Sequence, residues 1–245
     1  MRDWAGKTYW LVGASEGLGR ALAGRLSRAG VRLILSARST DRLEDLAQAL
    51  PGPVRVVACD VSDRASVAAA ARDAGDIDGM VFLAGAYWPF GAGAWDADQA
   101  EVMADVNFTG ALRVLGQVVP GFVARDRGHI VLTGSLAGFR GLPGSIGYGS
   151  SKAGLMHLAE SIHADLRGTG VQVQLANPGF IRTRLTDKNQ FHMPFLMEPD
   201  TAAQAMFEHM SGTAFKRSFP WLFSLVFRGS QFLPDGLYYR LFGAR

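Results

Sequence analysis

Tyr148 and Lys152 stand four residues apart in the run Tyr148-Gly149-Ser150-Ser151-Lys152. In a helix that spacing puts both side chains on one face, one turn from each other. An ammonium beside a phenol favours the phenolate and lowers a tyrosine acidity that otherwise sits near ~10. A tyrosine so placed can give or take a proton near neutral pH. The alternative is two unrelated surface residues. What decides between them is whether other chemically able residues converge on the same place.

The elements that must position the pair follow from periodicity. Thr8 to Val12 is a short apolar run with two aromatics, as in a buried strand. Gly13-Ala14-Ser15-Glu16-Gly17-Leu18-Gly19 follows, then Leu18, Leu22 and Leu26 at helical spacing up to Gly30. Strand, glycine-rich turn and helix is the context in which glycines bind phosphate: the backbone approaches closely and the helix N-terminus favours negative charge. Val31 to Leu35 predicts a second strand, buried on both faces and ending at Ser36-Ala37-Arg38-Ser39. A helix over 41–50 and a strand over 54–59 come next, with Asp60-Val61 after the strand. Residues 62–74 predict a helix with Ser62 or Asp63 as N-cap. A strand over 80–83 ends at Ala84-Gly85, and a single helix over 97–123 carries Asn107. A strand over 129–132 ends at Thr133-Gly134-Ser135, and the loop 136–147 leads into the Tyr148 helix, which runs to about Arg167. Val171 to Ala176 is the last strand expected, before Asn177-Pro178-Gly179.

Alternation of this regularity implies an α/β fold, a doubly wound parallel sheet (Rossmann fold) in three α/β/α layers. In such sheets ligands bind at the carboxyl ends of the strands. Gly13, Arg38, Asp60, Gly85, Ser135 and Pro178 all fall at or just past those ends, and the Tyr148 helix begins near the same edge. This convergence favours a functional Tyr148 and Lys152.

Composition narrows the classes. The 245 residues, 48% of them hydrophobic, suit one domain over 1–245, and no Pro/Gly/Ser linker divides them. The net charge is only +3 and no basic cluster exceeds the pair Lys216-Arg217, so a nucleic-acid role is not expected. Cys59 is the only cysteine, which rules out an intrachain disulfide and a thiolate-rich metal site. His157, Glu160 and His163 recur at three-residue spacing without supporting carboxylates, so they read as helix surface or subunit contact and no metal is expected. No apolar leader opens the chain and no run reaches the ~18 residues of a membrane span, so a cytoplasmic location is expected.

Taken together, residues 6 to 210 resemble the short-chain dehydrogenase/reductase family. Gly13, Gly17 and Gly19 have that family's glycine spacing; Asp60-Val61 is similar to its adenine-contacting pair and Ala84-Gly85 to the end of its Asn-Asn-Ala-Gly motif. Asn107, Ser135, Tyr148 and Lys152 match its four catalytic positions in order, and Pro178-Gly179 with Ile181 and Thr183 its nicotinamide-side loop. The resemblance implies a nicotinamide cofactor held by Gly13, Ser15, Glu16, Gly17, Leu18, Gly19, Asp60, Val61, Ala84, Gly85, Pro178, Gly179, Ile181 and Thr183, with Asn107, Tyr148 and Lys152 also in contact. It implies Tyr148 as the acid in carbonyl reduction, Ser135 holding the substrate oxygen, Lys152 on the ribose and lowering the tyrosine pKa, and Asn107 positioning a water. NAD-preferring members usually carry an acid at the end of the second strand. Here Ala37 and Arg38 stand there, so repulsion is absent and Arg38 can pair with a 2′-phosphate, which predicts NADP(H). Two departures are apolar: Val12 before the first glycine, and Phe82-Leu83 before Ala84. They imply packing where the family often has a polar contact.

Residues 87–88, 136–143 and 180–200 are placed to line a substrate pocket. Phe191, Met193, Phe195, Leu196 and Met197, with His192, make the 180–200 loop mostly apolar, so a small apolar carbonyl or alcohol is expected. Packing of these residues on each other is the alternative. Residues 216–245 form an apolar C-terminal extension punctuated by Arg228, Arg240 and Arg245. Packing over the pocket or at a subunit interface is favoured there, against peripheral membrane contact. The family is commonly dimeric or tetrameric through the Asn107 and Tyr148 helices. The rival functions are a non-catalytic nucleotide sensor, which tends to lose the tyrosine or lysine kept here, and an isomerase or dehydratase on the same fold.

Overall fold

Within Thr8–Val12 (β1), Trp10 and Val12 enter one core while Tyr9 and Leu11 enter another. Successive strand side chains point to opposite faces, so a strand this apolar must be covered on both. The computed structural model, which describes residues 2–243, provides that cover. Arg245 lies outside the described residues. The other strands are Arg32–Ser36 (β2), Val54–Val56 (β3), Gly79–Phe82 (β4), Gly128–Thr133 (β5), Val171–Pro178 (β6) and Lys216–Phe219 (β7). They form one parallel seven-stranded sheet in the order β3-β2-β1-β4-β5-β6-β7.

One face is covered by Gly17–Arg28 (α1), Thr40–Ala49 (α2) and Pro199–Ser211, through Leu22 and Leu26, Leu43 and Leu46, and Met206 and Met210. The other is covered by Arg64–Ala74 (α3), Gly110–Ala124 (α5) and Ile146–Asp165 (α6), through residues such as Val67, Val114 and Leu155, while Ala97–Ala104 (α4) packs against α6. The helix over Pro199–Ser211 is α7. Asp63 caps α3, its side chain accepting from the Ala65 amide at 2.8 Å. This is the three-layer doubly wound fold expected. The apolar departures are packing: Val12 and Phe82 are fully buried in the sheet.

Three boundaries differ from expectation. The single helix over 97–123 is broken by a π turn, Asp105–Thr109, which turns Asn107 fully inward. A π turn adds one residue to a helical turn without altering local composition, so apolar spacing does not announce it. The third strand stops at Val56, yet the amides of Val57 and Cys59 still bond Leu35 and Ala37 along β2. Lys216–Phe219 opens the expected C-terminal extension but is the seventh strand, paired with β6 from Leu175 to Pro178. Lys-Arg-Ser-Phe has no apolar alternation to mark it. Two helices complete the segment, Trp221–Ser230 (α8) and Asp235–Phe242 (α9). Arg140 fixes both to the loop after β5. It donates to the carbonyls of Ser230 (2.6 Å) and Leu233 (2.8 Å), pairs with Asp235, and lies 3.9 Å over the Tyr238 ring.

Of the triplet His157, Glu160 and His163, His163 stacks on Phe215, Glu160 pairs with Lys216, and His157 is exposed. Two other histidines carry a pH consequence. His129 is fully buried, its Nε2 donating to Gln174 Oε1 and its Nδ1 accepting from the Tyr9 hydroxyl, each at 2.8 Å. Burial, with Arg2 nearby, holds His129 well below the usual histidine range. Burial, with Arg217 nearby, lowers His209 to about 4. The unfolded chain binds protons at these histidines near ~6.5, where the folded chain refuses them, so the unfolded state gains as pH falls. Stability is therefore full above that range and declines as pH falls toward about 4, the value His209 takes in the fold. Thermal unfolding followed across this interval should show the decline, and His209→Gln should flatten it. An unchanged slope in that variant would remove His209 from the account.

Candidate active site

The glycine turn after β1 is shaped by close backbone approach. Gly13 has φ +99°, and a Cβ there would stand 2.4 Å from the Ala84 amide nitrogen. A Cβ on Gly19 would stand 2.2 Å from the Gly13 carbonyl. The turn thus folds onto itself and onto the exit of β4. Glu16 extends no cap to α1 and instead pairs with Arg42 and, at 3.0 Å, with Arg184. The first-turn amides of α1 consequently have no side-chain cap, the condition under which a helix N-terminus accepts an anion.

Across the sheet edge, Ser135 leaves β5 with its hydroxyl accepting from the Ala137 amide at 3.1 Å. Tyr148 and Lys152 share one face of α6, as their spacing demands. Lys152 is buried, and its Nζ donates to the Thr133 carbonyl at 2.8 Å, 5.8 Å from the centre of the Tyr148 ring. Burial lowers the ammonium to about 8. Burial also raises the Tyr148 phenol, with the Ser135 side chain alone pulling the other way. The expected lowering of Tyr148 by Lys152 is therefore not what this arrangement produces. The ammonium is committed to a carbonyl below the ring, and desolvation of the phenol dominates.

Asn107 sits behind this group. Its Oδ1 accepts from the Ala86 amide at 2.7 Å, and its Nδ2 donates to the Ala86 carbonyl and to Ser151 Oγ, each at 2.9 Å. Both amide hydrogens are used. The side chain ties the π turn, the loop after β4 and α6 together, and holds no donor in reserve for a water.

One cavity of about 430 Å³ joins these elements. Of the expected residues, Gly13, Glu16, Gly17, Leu18 and Gly19 line it from the glycine turn and Gly85 from the exit of β4. Ser135, Tyr148 and Lys152 line it as well, as do Pro178, Gly179, Ile181 and Thr183. Ser15, Arg38, Asp60, Val61, Ala84 and Asn107 stand outside its wall. Arg38 is exposed beyond β2, close enough to Asp60 to act on its charge. Burial alone would raise Asp60, but bonds from the Ser62 amide and hydroxyl, with Arg38 and Arg113, hold it low. Val61 is buried, its side chain against Gly110.

The outer half of the cavity is aromatic. The Tyr87 ring meets Tyr148 edge-on at 4.9 Å, and its hydroxyl donates to Asn189 Oδ1 at 2.6 Å. Burial, with Tyr148 beside it, pushes Tyr87 up to about 12, so it stays a neutral wall. Phe180 and Phe191 face the cavity from the 180–200 loop, whereas Trp88 packs under Lys188 and Met197 bonds back to Phe180 through its amide. Phe195 stacks on Phe223. Lining residues that the sequence does not single out include Pro89 and Phe90 after β4, Thr133 at the end of β5, and Phe223 and Phe227 of α8. The only signal for the last two was the apolarity of their segment.

A family model described as short chain dehydrogenase matches residues 7–193. An uncharacterized oxidoreductase of Myxococcus xanthus is 39% identical over 245 residues, 97% of each chain. A sulfoacetaldehyde reductase of Chromohalobacter salexigens is 37% identical over 185 residues, 72% of this chain and 73% of that one. The structure of an alcohol dehydrogenase from the archaeon Thermococcus sibiricus, complexed with 5-hydroxy-NADP, superposes with a TM-score of 0.77. It is 26% identical and covers 87% of this chain and 95% of its own.

Proposed function

The chain belongs to the short-chain dehydrogenase family of oxidoreductases, and from that premise we propose that it carries a hydride between NADP(H) and the carbonyl or alcohol carbon of an apolar substrate. The observation that carries this reading is the meeting of Ser135 and Tyr148 with a glycine-cradled turn in one cavity whose outer wall is aromatic. The residues fit the cofactor: without side chains at Gly13 and Gly19 the turn closes against β4 and on itself beside the cavity, and α1 offers uncapped amides to a pyrophosphate. When bound, the nicotinamide supplies or accepts the hydride.

In the direction of reduction, Tyr148 gives its phenolic proton to the substrate oxygen. Its raised pKa keeps that proton in place at neutral pH. Ser135 holds the same oxygen by its hydroxyl and stabilises the charge that develops there. Lys152, held on the Thr133 carbonyl in the cavity wall, would bind the cofactor ribose. Asn107 acts by position, since its amide is spent on Ala86 and Ser151. Retention of both Tyr148 and Lys152 in the cavity weighs against a non-catalytic sensor. A homodimer or homotetramer belongs to this reading, with exposed Val102, Leu112 and Val123 on α4 and α5 as the surface to be covered.

NADP(H) over NAD(H) rests on Arg38, exposed at the end of β2 where no acid stands. Arg38→Ala should raise the dissociation constant of NADPH by about 10- to 100-fold, the worth of one charged pair, and leave that of NADH unchanged. Fluorescence titration of the two cofactors reads this directly. Equal affinity of the wild type for both would defeat the assignment. Turnover is tested by following NADPH absorbance with a panel of apolar ketones and aldehydes; a panel dominated by charged or sugar substrates would defeat the apolar reading.

A further inference from the structure

The helix that closes the cavity has a second face that covers nothing. Phe223 and Phe227 of α8 point into the cavity, while Trp221, Leu222, Leu225 and Val226 lie on the opposite arc and are exposed. Phe232 follows in the turn, 88% exposed, and Leu237 and Leu241, one turn apart on α9, are exposed as well. Single exposed apolar residues are ordinary, but this many on two consecutive helices make a patch. It is held in shape: the Arg140 contacts and the Tyr238 hydroxyl, which donates to the Gly141 carbonyl at 2.7 Å, pin both helices to the loop after β5.

Charge selects the occupant. Arg228 borders the α8 arc and Arg240 the α9 pair, and neither has a carboxylate partner among the described residues. The one carboxylate in 221–243, Asp235, is already taken by Arg140. We propose that this face docks on an anionic lipid surface. The apolar arc of α8 enters the headgroup boundary, Trp221 and Tyr239 sit at the interface, and Arg228 and Arg240 meet lipid phosphates. No helix among the described residues is long and apolar enough to cross a membrane, so the contact lies on the surface. A second copy of the chain fits less well. A two-fold contact would set the same patch against itself, bringing arginines together with no free acid between them. The proposal rests on this surface and is independent of cofactor and substrate.

The full chain is tested by flotation with phosphatidylglycerol-containing and pure phosphatidylcholine vesicles. Binding to the anionic vesicles is expected, with Trp emission quenched by brominated lipid in the wild type and much less in Trp221→Phe. The double variant Leu225→Asp, Phe232→Asp should lose binding by about tenfold or more, and Arg228→Glu with Arg240→Glu should erase the preference for anionic lipid. Circular dichroism of each variant, matching that of the wild type, separates these losses from unfolding. Absence of wild-type binding, or equal binding by the Asp double variant, would overturn the proposal. So would light scattering that shows a dimer dissolved by Leu225→Asp.

Discussion

Tyr148→Phe is expected to cut turnover by about a thousandfold, within the usual range for a lost general acid, with NADPH affinity unchanged. The substitution removes one oxygen and little else. The ring keeps its edge-on contact with Tyr87 at 4.9 Å, and α6 keeps Lys152 on the Thr133 carbonyl. Ser135 keeps its place in the cavity wall, so the polarisation proposed for its hydroxyl should survive while proton delivery does not. That partition separates the proton-transfer role from a structural one. A phenol that merely supported the cavity would, when removed, weaken binding together with turnover. Steady-state rates beside a fluorescence titration of NADPH give both numbers, and unimpaired turnover in the Phe protein would end the assignment.

The residues behind this expectation were readable to different depths. Tyr148 and Lys152 were legible because helical spacing is a local property, and the glycines because strand, turn and helix flank them in the chain. Their electrostatics were not. Proximity of an ammonium predicts a lowered phenol, but whether that charge faces the phenol depends on the Thr133 carbonyl, which comes from another strand. Burial of Tyr148 likewise depends on loops distant in sequence. Asn107 was legible as a site position but not in its bonds, since the π turn that aims it leaves no mark in apolar spacing. The apolarity of 216–245 points to packing over the pocket, as Phe223 and Phe227 do pack, but not to these two side chains in particular. Their placement needs β7 to pair with β6, and nothing in Lys216-Arg217-Ser218-Phe219 alternates as a strand should. What was legible is periodic and local; what was not rests on contacts across the sheet.

Gly13→Ala should destabilise the protein by about 3 kcal/mol or more and abolish cofactor binding in whatever fraction stays folded. Two costs combine at this position. The φ of +99° lies where an L side chain is strained, and the new Cβ would meet the Ala84 nitrogen at 2.4 Å and the Leu83 carbonyl carbon at 2.7 Å. Both are backbone atoms at the exit of β4, so no rotamer change relieves the clash, and Val12 and Phe82 on either side are packed too tightly to move. Gly75→Ala is the control that divides the two costs. It too has positive φ, +66°, at the end of α3, but a Cβ there meets nothing within 4 Å. It should cost only the conformational share, about 1–3 kcal/mol. Denaturant unfolding of the two variants measures the difference, which is the steric share. If the midpoints fall together, the close approach of the glycine turn to β4 contributes nothing beyond backbone strain. If Gly13→Ala falls much further, the departure at Leu83 explains why the turn survives without a polar tether. In that case the missing Cβ lets strand exit and turn pack backbone to backbone, and the room a pyrophosphate needs follows from the same contact.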